Sequence, residues 1–549
     1  MNNKLYKALF VSAVVAVGMN SCAKKLDLTP ESQISDASFW KTTNDLILAC
    51  NELYQYIPVM SNNVNAVWSD DGYGNSPNGI SDGSRTAAVT DVAFSNPYVL
   101  IRKSNTILEK SRGVTGDASL IRRYKGEAYF FRAFAYSELV KRYGDVPLIL
   151  RTFDVNDTLA VAHRTPRERV LDSLYRDLDS AIAGLPKASA LAAAEYGRIT
   201  ASAALGLKSR VGLFEGTRNK YHGLGDANKH LQLALAATET LMSTGGHSLF
   251  KLAAKPDSSY FYLFQYAGNG AANKENILVR LYGANATNSI SEHNYTRQYL
   301  DNGIVTATRA MMDAYLYKDG LPIGKSPLQK PQDSTLSEFI DRDPRIGMTV
   351  FNKRLTGFSL TPYKPTFASA PTGYKVAKFA TVEDWTSQQS FNHNLVMRYG
   401  EILLNYAELK YELNGGTIAD ADLDKSINLI RARVNMPNLT NAFVTTNGLN
   451  MLDEIRRERR IELAFEGEFR YWDLIRWKTA ETELPKSVKG SKIFPAEQAN
   501  IITATTDANG FVIVQDASKR KFDTTRDYWW PIPTNDVGLN PNMTQNKNW

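Results

Sequence analysis

Residues 121–143 read IRRYKGEAYFFRAFAYSELVKRY, and Tyr124, Ala128, Phe131, Ala135 and Leu139 recur there at three- or four-residue spacing. That period puts them on one face of a helix. The pattern stops at Gly144-Asp145-Val146-Pro147, where glycine and proline break it. Downstream, Thr165-Pro166-Arg167-Glu168 has the form of a helix start, with Thr165 as N-cap, Pro166 at the first helical position and Glu168 three residues on. That helix runs to about Gly184-Leu185-Pro186. A third opens near Thr200 and continues through Ala204, Leu207, Val211 and Phe214; beyond the loop at His222–Gly225, Ala227–Met242 forms its return partner.

The C-terminal third repeats this arrangement. Val396–Leu413 and Ala421–Val434 read as a helical hairpin around Asn414-Gly415-Gly416, and Met451–Trp477 as a long helical stretch broken near Gly467. Antiparallel helix pairs of about 35 to 45 residues are the lengths of a tetratricopeptide-type solenoid, although the consensus of that repeat is absent. Residues 245–395 differ in kind, being rich in Gly, Pro, Asn, Ser and Tyr, and 61–97 and 484–526 are similarly irregular. Loops of this length are usually functional surfaces. The expectation is a helical scaffold carrying irregular binding loops, divided into 22–240, a loop-rich 245–395, and 396–549.

The whole chain has 549 residues, 43% hydrophobic and 22% charged, which excludes collagen-like, disordered and disulfide-scaffold classes. Its two cysteines, Cys22 and Cys50, cannot build a disulfide framework or a four-ligand zinc site. The formal charge is +7, with bases and acids interleaved throughout, so no nucleic-acid face stands out. At the start, Lys4 and Lys7 precede the apolar run Ala8–Val17, interrupted only by Ser12. The run is too short to span a bilayer and has the form of a secretory signal over residues 1–21. It ends in Met19-Asn20-Ser21-Cys22, which resembles a bacterial lipobox with Cys22 as the lipidated N-terminus.

Several catalytic chemistries lack their residues. The six histidines include no pair at i, i+4 and none beside a cysteine, and no Gly-x-Ser-x-Gly elbow occurs. The phosphate-loop-like run Gly320–Ser326 is one residue short and contains Pro322, which has no amide hydrogen to offer a phosphate. Asp70-Asp71, in a loop with Trp68 and Tyr73, is the carboxylate pair a glycosidase reading would use, although adjacent carboxyls rarely straddle a glycosidic bond. The basic run Arg456–Arg460 has Asp453 and Glu462 at salt-bridge spacing and reads as a charged helix face.

Several blocks together resemble the SusD/RagB outer-membrane lipoproteins of Bacteroidota. They are Gly126–Phe134 with Lys141–Leu148, then Arg342-Asp343-Pro344-Arg345, Met397–Glu408, Ile455–Trp477, and the tail from Trp530-Pro531-Ile532-Pro533 to Gln545-Asn546. Glu468 stands where the family commonly has His, and Gly400 where it commonly has Ala. The resemblance implies an all-α fold of four tetratricopeptide-like hairpins with an irregular inserted subdomain. It also implies an outward-facing lipoprotein that captures an oligosaccharide, or in some members a peptide, for a SusC-like TonB-dependent transporter, with no catalysis and no cofactor. The aromatics of the blocks, Phe131, Phe134, Tyr399, Tyr406, Trp472 and Trp477, fall at helical spacing and are expected in the core.

No motif fixes the ligand contacts, so they follow from loop position and chemistry. Sugars offer C–H faces to aromatic rings and hydroxyls to carboxylates and amides. The best local set is Trp68, Asp70, Asp71, Tyr73 and Asn75; next come Tyr282, His293, Asn294, Tyr295 and Tyr299, then Trp385. The anchor makes the first prediction: Cys22→Ser abolishes incorporation of labelled palmitate and moves the protein out of the membrane fraction. Label retained by that variant would disprove the lipid site.

Overall fold

The computed structural model describes residues 39–283, 294–352, 369–497 and 504–549, with Leu355 and Phe367 between them. Two helices come first, α1 (Thr43–Asn51) and α2 (Val92–Lys110). The stretch around Phe131 is the centre of α3 (Ala118–Tyr143), and α4 (Arg167–Gly184), α5 (Ala201–His222) and α6 (Ala227–Thr244) follow. Each of α2 to α6 packs against the next, the antiparallel hairpin stack that the spacing predicts. In α5, a side chain at Gly212 would sit 2.7 Å from the His230 carbonyl and one at Gly216 2.6 Å from Leu231, so these glycines let α6 lie close.

Helix α4 does not start as its sequence suggests. Thr165 pairs with Val146 in a β-bridge, and the helix begins at Arg167, whose amide donates to Asp145 Oδ1 at 2.7 Å. Glu168 turns away from the helix start to accept from His230 Nε2 and the Asn219 amide.

The C-terminal helices are α7 (Tyr399–Leu413), α8 (Ile427–Arg433), α9 (Met451–Glu462) and α10 (Phe469–Arg476). Val396 to Arg398 are not helical but end a strand, Asn394–Arg398, that pairs with Asn276–Arg280. The α9–α10 stretch is interrupted over 463–468, where Phe465 (φ 59°) and Gly467 (φ 105°) leave the helical region. Among the described residues there are three antiparallel two-stranded ribbons: β1 (Gly72–Tyr73) with β3 (Thr306–Ala307), β2 (Asn276–Arg280) with β4 (Asn394–Arg398), and β5 (Val488–Lys492) with β6 (Phe511–Gln515).

The helices share one apolar core that includes Phe131, Phe134, Tyr399 and Trp472, and Tyr406 and Trp477 are also buried, as expected from their spacing. The irregular region has a second core around Tyr260, Phe264, Met311, Tyr315 and Phe379, and Trp68 packs against both. Cys50 is buried with its Sγ facing the Tyr124 carbonyl, and burial pushes its thiol well up, so it is inert.

Where the two cores meet, charge is buried. Glu462 at the end of α9 receives Arg345 at 3.0 Å, Arg398 at 2.7 Å, and Arg433. Arg398 also binds Glu275 and Glu466, Arg433 binds Glu275, and Lys378 binds Glu466. Arg345 further holds Asp343 and Glu458, and Glu458 holds Arg431. Five carboxylates thus face five cations, every side chain at most 2% exposed. Such a set is tolerable only when complete, because an unpaired ion left in the interior is strongly unfavourable.

Glu462→Gln is therefore expected to lower unfolding free energy by about 3–5 kcal/mol, the usual loss when one partner of a buried pair goes. Glu483→Gln removes the partner of Lys486, which is 60% exposed, and should change stability by less than about 1 kcal/mol. Urea unfolding of the two variants decides: equal midpoints would show that the buried set is not what holds the junction.

Candidate binding cleft

One large cleft, of about 710 Å³, opens beside Trp68. Its walls come from the 3₁₀ segments 52–68, the start of α2, the C-terminal part of α3, the middle of α5, the 466–469 loop and the tail near Trp530. Trp472 and Trp530 stack at 5.9 Å between ring centroids, and Trp68 meets Trp530 edge-on at 5.3 Å. Around these rings lies a set of paired charges. Lys141 and Arg142 both bind Glu138, and Arg142 also binds Glu468 at 3.0 Å. Glu468 then accepts from Trp472 Nε1 at 2.6 Å and from the Asn65 amide at 2.9 Å. Burial alone would raise Glu138, but Lys141 and Arg142 outweigh it and hold the carboxyl at about 2; burial lowers Lys141.

Of the residues singled out from the sequence, Trp68 lines this cleft. Asp70 and Asp71 do not. Asp70 binds Arg470 at 2.8 Å and Arg460 at 3.0 Å, and Asp71 binds Arg460 at 2.6 Å. Against the effect of burial, Arg460 and Arg470 keep Asp70 below the usual carboxylate range; for Asp71 burial wins, and with the Asp70 charge it raises the group. The cavity beside Asp71 measures about 10 Å³, room for about one water and not for a glycosidic bond. Both carboxyls act as struts that fix the chain two and three residues after Trp68.

Tyr73 is buried in the short ribbon with Thr306, and the Asn75 amide donates to the Asn302 carbonyl. Tyr282 and Tyr299 are buried in the second core, where the Tyr282 hydroxyl accepts from the Met60 amide. Tyr295 lies 5.8 Å from Tyr299 between ring centroids, and Asn294 is exposed. Half-buried Trp385 donates its indole N–H to Asp301 and lies under Arg297. Cys22 and His293 lie outside the described residues. None of the placed residues other than Trp68 reaches the cleft. Its remaining walls use residues read from the sequence as scaffold, Trp472 and Trp530, or not singled out, such as Arg85 and Asn65.

Known proteins match this chain over nearly all of its length. A family model described as "SusD family" matches residues 269–549, which is half of the chain. The chain belongs to the SusD family. A second model, described as "Starch-binding associating with outer membrane", matches residues 25–213. SusD-like protein P2 of Formosa agariphila is 24% identical, with 99% of each chain covered. SusD-like protein P38 of the same organism is 25% identical over 87% of this chain and 93% of its own. A solved SusD-like carbohydrate binding protein from Bacteroides fragilis superposes with a TM-score of 0.77 at 26% identity, covering 92% of this chain and all of that one.

In this SusD-family chain the helix that carries Trp472 is tied down by residues of the blocks that resemble the family. Arg476 forks onto Glu408 of α7 at 2.6 Å through both terminal nitrogens, and Trp477 Nε1 donates to the same carboxylate. Asp473 receives Arg459 and Arg476 at 2.8 Å each. Burial would raise Glu408, but Arg476 wins and holds it at about 2. Among the described residues no group of three His, Cys, Asp or Glu is placed to hold a metal ion, and no helix is long and apolar enough to cross a membrane.

Because the folded pKa of Glu408 lies below its ordinary 4.5, its stabilisation is complete above that value and is lost as pH falls towards 2. The protein is thus expected to lose about 3 kcal/mol from this group across that window. In thermal melts, Glu408→Gln should be less stable at pH 7 and show a flatter fall from pH 5 to pH 2.5. A parallel fall in both proteins would refute the assignment.

Proposed function

We propose that this SusD-family chain captures glycans at the outer membrane and delivers them to a SusC-like TonB-dependent transporter, without catalysis. In this reading lipid on Cys22 tethers the protein and the cleft beside Trp68 faces the cell exterior. The cleft carries the binding half of the proposal: three tryptophans flanked by amides and compensated charges, the mix of apolar wall and few polar groups that a sugar needs. Half-buried Trp68 is the tryptophan of the three that a sugar face can meet. Trp472 and Trp530 lie behind it, each 6% exposed. The second family description and the printed name of the Bacteroides fragilis protein support carbohydrate as the ligand.

The test is retardation in native gels cast with plant, host and microbial polysaccharides, followed by calorimetry with fragments of the glycan that retards. Trp68→Ala is expected to weaken binding by about tenfold or more, the scale for losing an aromatic anchor. Trp385→Ala, outside the cleft, should leave it unchanged. Binding that survives Trp68→Ala and falls with Trp385→Ala would move the site to the loops around Tyr295. Binding of peptide digests with no response to any glycan would replace sugar capture by peptide capture.

A further inference from the structure

Arg85 stands on the cleft wall with its guanidinium 4.3 Å from the Trp530 ring centroid and 4.9 Å from that of Trp549. It donates no side-chain hydrogen bond to any described residue and forms no ion pair with one, and its Nη1 is closed off from solvent. Asp91 and Asp527 act on it only from beyond ion-pair distance, and both are engaged elsewhere. Asp91 caps α2 and accepts from the Tyr143 hydroxyl; Asp527 binds Arg526. Desolvation pulls the Arg85 pKa below its ordinary value.

Other cations of the cleft are satisfied. Lys141 and Arg142 hold Glu138, and Arg210 holds Glu401 at 2.6 Å. Elsewhere, the buried arginines Arg218 and Arg342 lack a carboxylate but donate to main-chain carbonyls. Arg456 is bare like Arg85, lying over the rings of Tyr221 and Trp477, but it does not face the cleft. A half-buried guanidinium without a partner is unfavourable until an anion meets it, and its planar fork matches an oxyanion's geometry.

We propose that the cleft selects acidic glycans, with a carboxylate or sulfate group of the sugar seated on Arg85 and a ring face against Trp68. This rests on the glycan-capture reading above. The anion would complete the one open cation among the described residues of the cleft wall while Trp530 and Trp549 keep the guanidinium flat and in place.

The experiment is calorimetry on the chain from residue 23 with three sets of oligosaccharides of matched length: polygalacturonate (carboxylate), a sulfated galactan (sulfate) and laminarin (neutral). One acidic set is expected to bind at least tenfold tighter than the neutral one, and to weaken as salt rises. Which acidic set it is identifies the group that Arg85 receives. Arg85→Gln should erase that preference, bringing acidic and neutral sugars to equal affinity, and Arg456→Gln, with the same loss of charge, should retain it. Arg85→Lys keeps the charge without the fork and should give an intermediate preference, which keeps the test open if the glutamine variant melts early. Equal binding of acidic and neutral sugars, or a preference that survives Arg85→Gln, would overturn the proposal and leave glycan capture standing. Absence of binding to all three sets and to the wider panel would remove both.

Discussion

Three arginines converge on the carboxylate of Glu462, and most of the molecule's geometry can be traced outward from that point. Arg345 comes from the irregular region, Arg398 from the end of β4, and Arg433 from the end of α8. None of these segments is held to another by main-chain hydrogen bonding alone, and charges inside a protein must find one another or remain in water. Folding the network therefore fixes how the loop-rich part sits on the helices. Apolar contact between the two cores could be made in many registers; a set of forked guanidinium–carboxylate pairs accepts few.

The same pairs reach the cleft. Glu466 is bound by Arg398 and Lys378, and two residues on, Glu468 accepts from Trp472 and Arg142 on the cleft wall. On the opposite side Arg470 and Arg460 grip Asp70, two residues after Trp68. The half-buried ring of Trp68 is thus followed by a chain held by ion pairs, and it meets Trp530 edge-on. The part of the cleft wall made of 3₁₀ turns is thus positioned by charged struts.

Helices α3 to α6 were legible because each carries apolar residues at helical spacing and neighbours in the chain pack together, although only α5 and α6 are joined by a short loop. Helix α2 was not, since Val92 and Val99 point to solvent and Pro97 sits in its second turn, which blurs the amphipathic pattern. Val396–Arg398 reads as helix until β2, more than a hundred residues earlier, claims it as a strand. Of the run Arg456–Arg460, which reads as pairing with Asp453 and Glu462, Arg457, Arg459 and Arg460 form ion pairs with other carboxylates and Arg456 forms none among the described residues; only Arg457 with Glu454 is local, while Arg459 takes Asp473, and Arg460 takes Asp70 and Asp71. Sequence spacing cannot reveal a partner 390 residues away. For the same reason Asp70 and Asp71 looked like ligand groups: exposure, not residue type, separates a sugar contact from a strut.

The division between scaffold and specificity follows from these placements. Arg345, Arg398, Glu408, Glu462, Asp473 and Arg476, all inside the blocks that resemble the family, are spent on one another in the interior. Trp68 and Arg85 lie outside those blocks; the ion pairs of Asp70 and Asp71 hold the chain just after Trp68, and Arg85 stands on the cleft wall without an ion pair among the described residues. A change at Arg85 alters what the cleft can receive and leaves Glu462 and its arginines untouched, whereas a change at Glu462 disturbs the frame on which any ligand would be held. Selection for a new ligand can then act on the first kind of residue while the second stays fixed, and a family membership read from the interior network specifies the frame of the cleft without specifying its occupant.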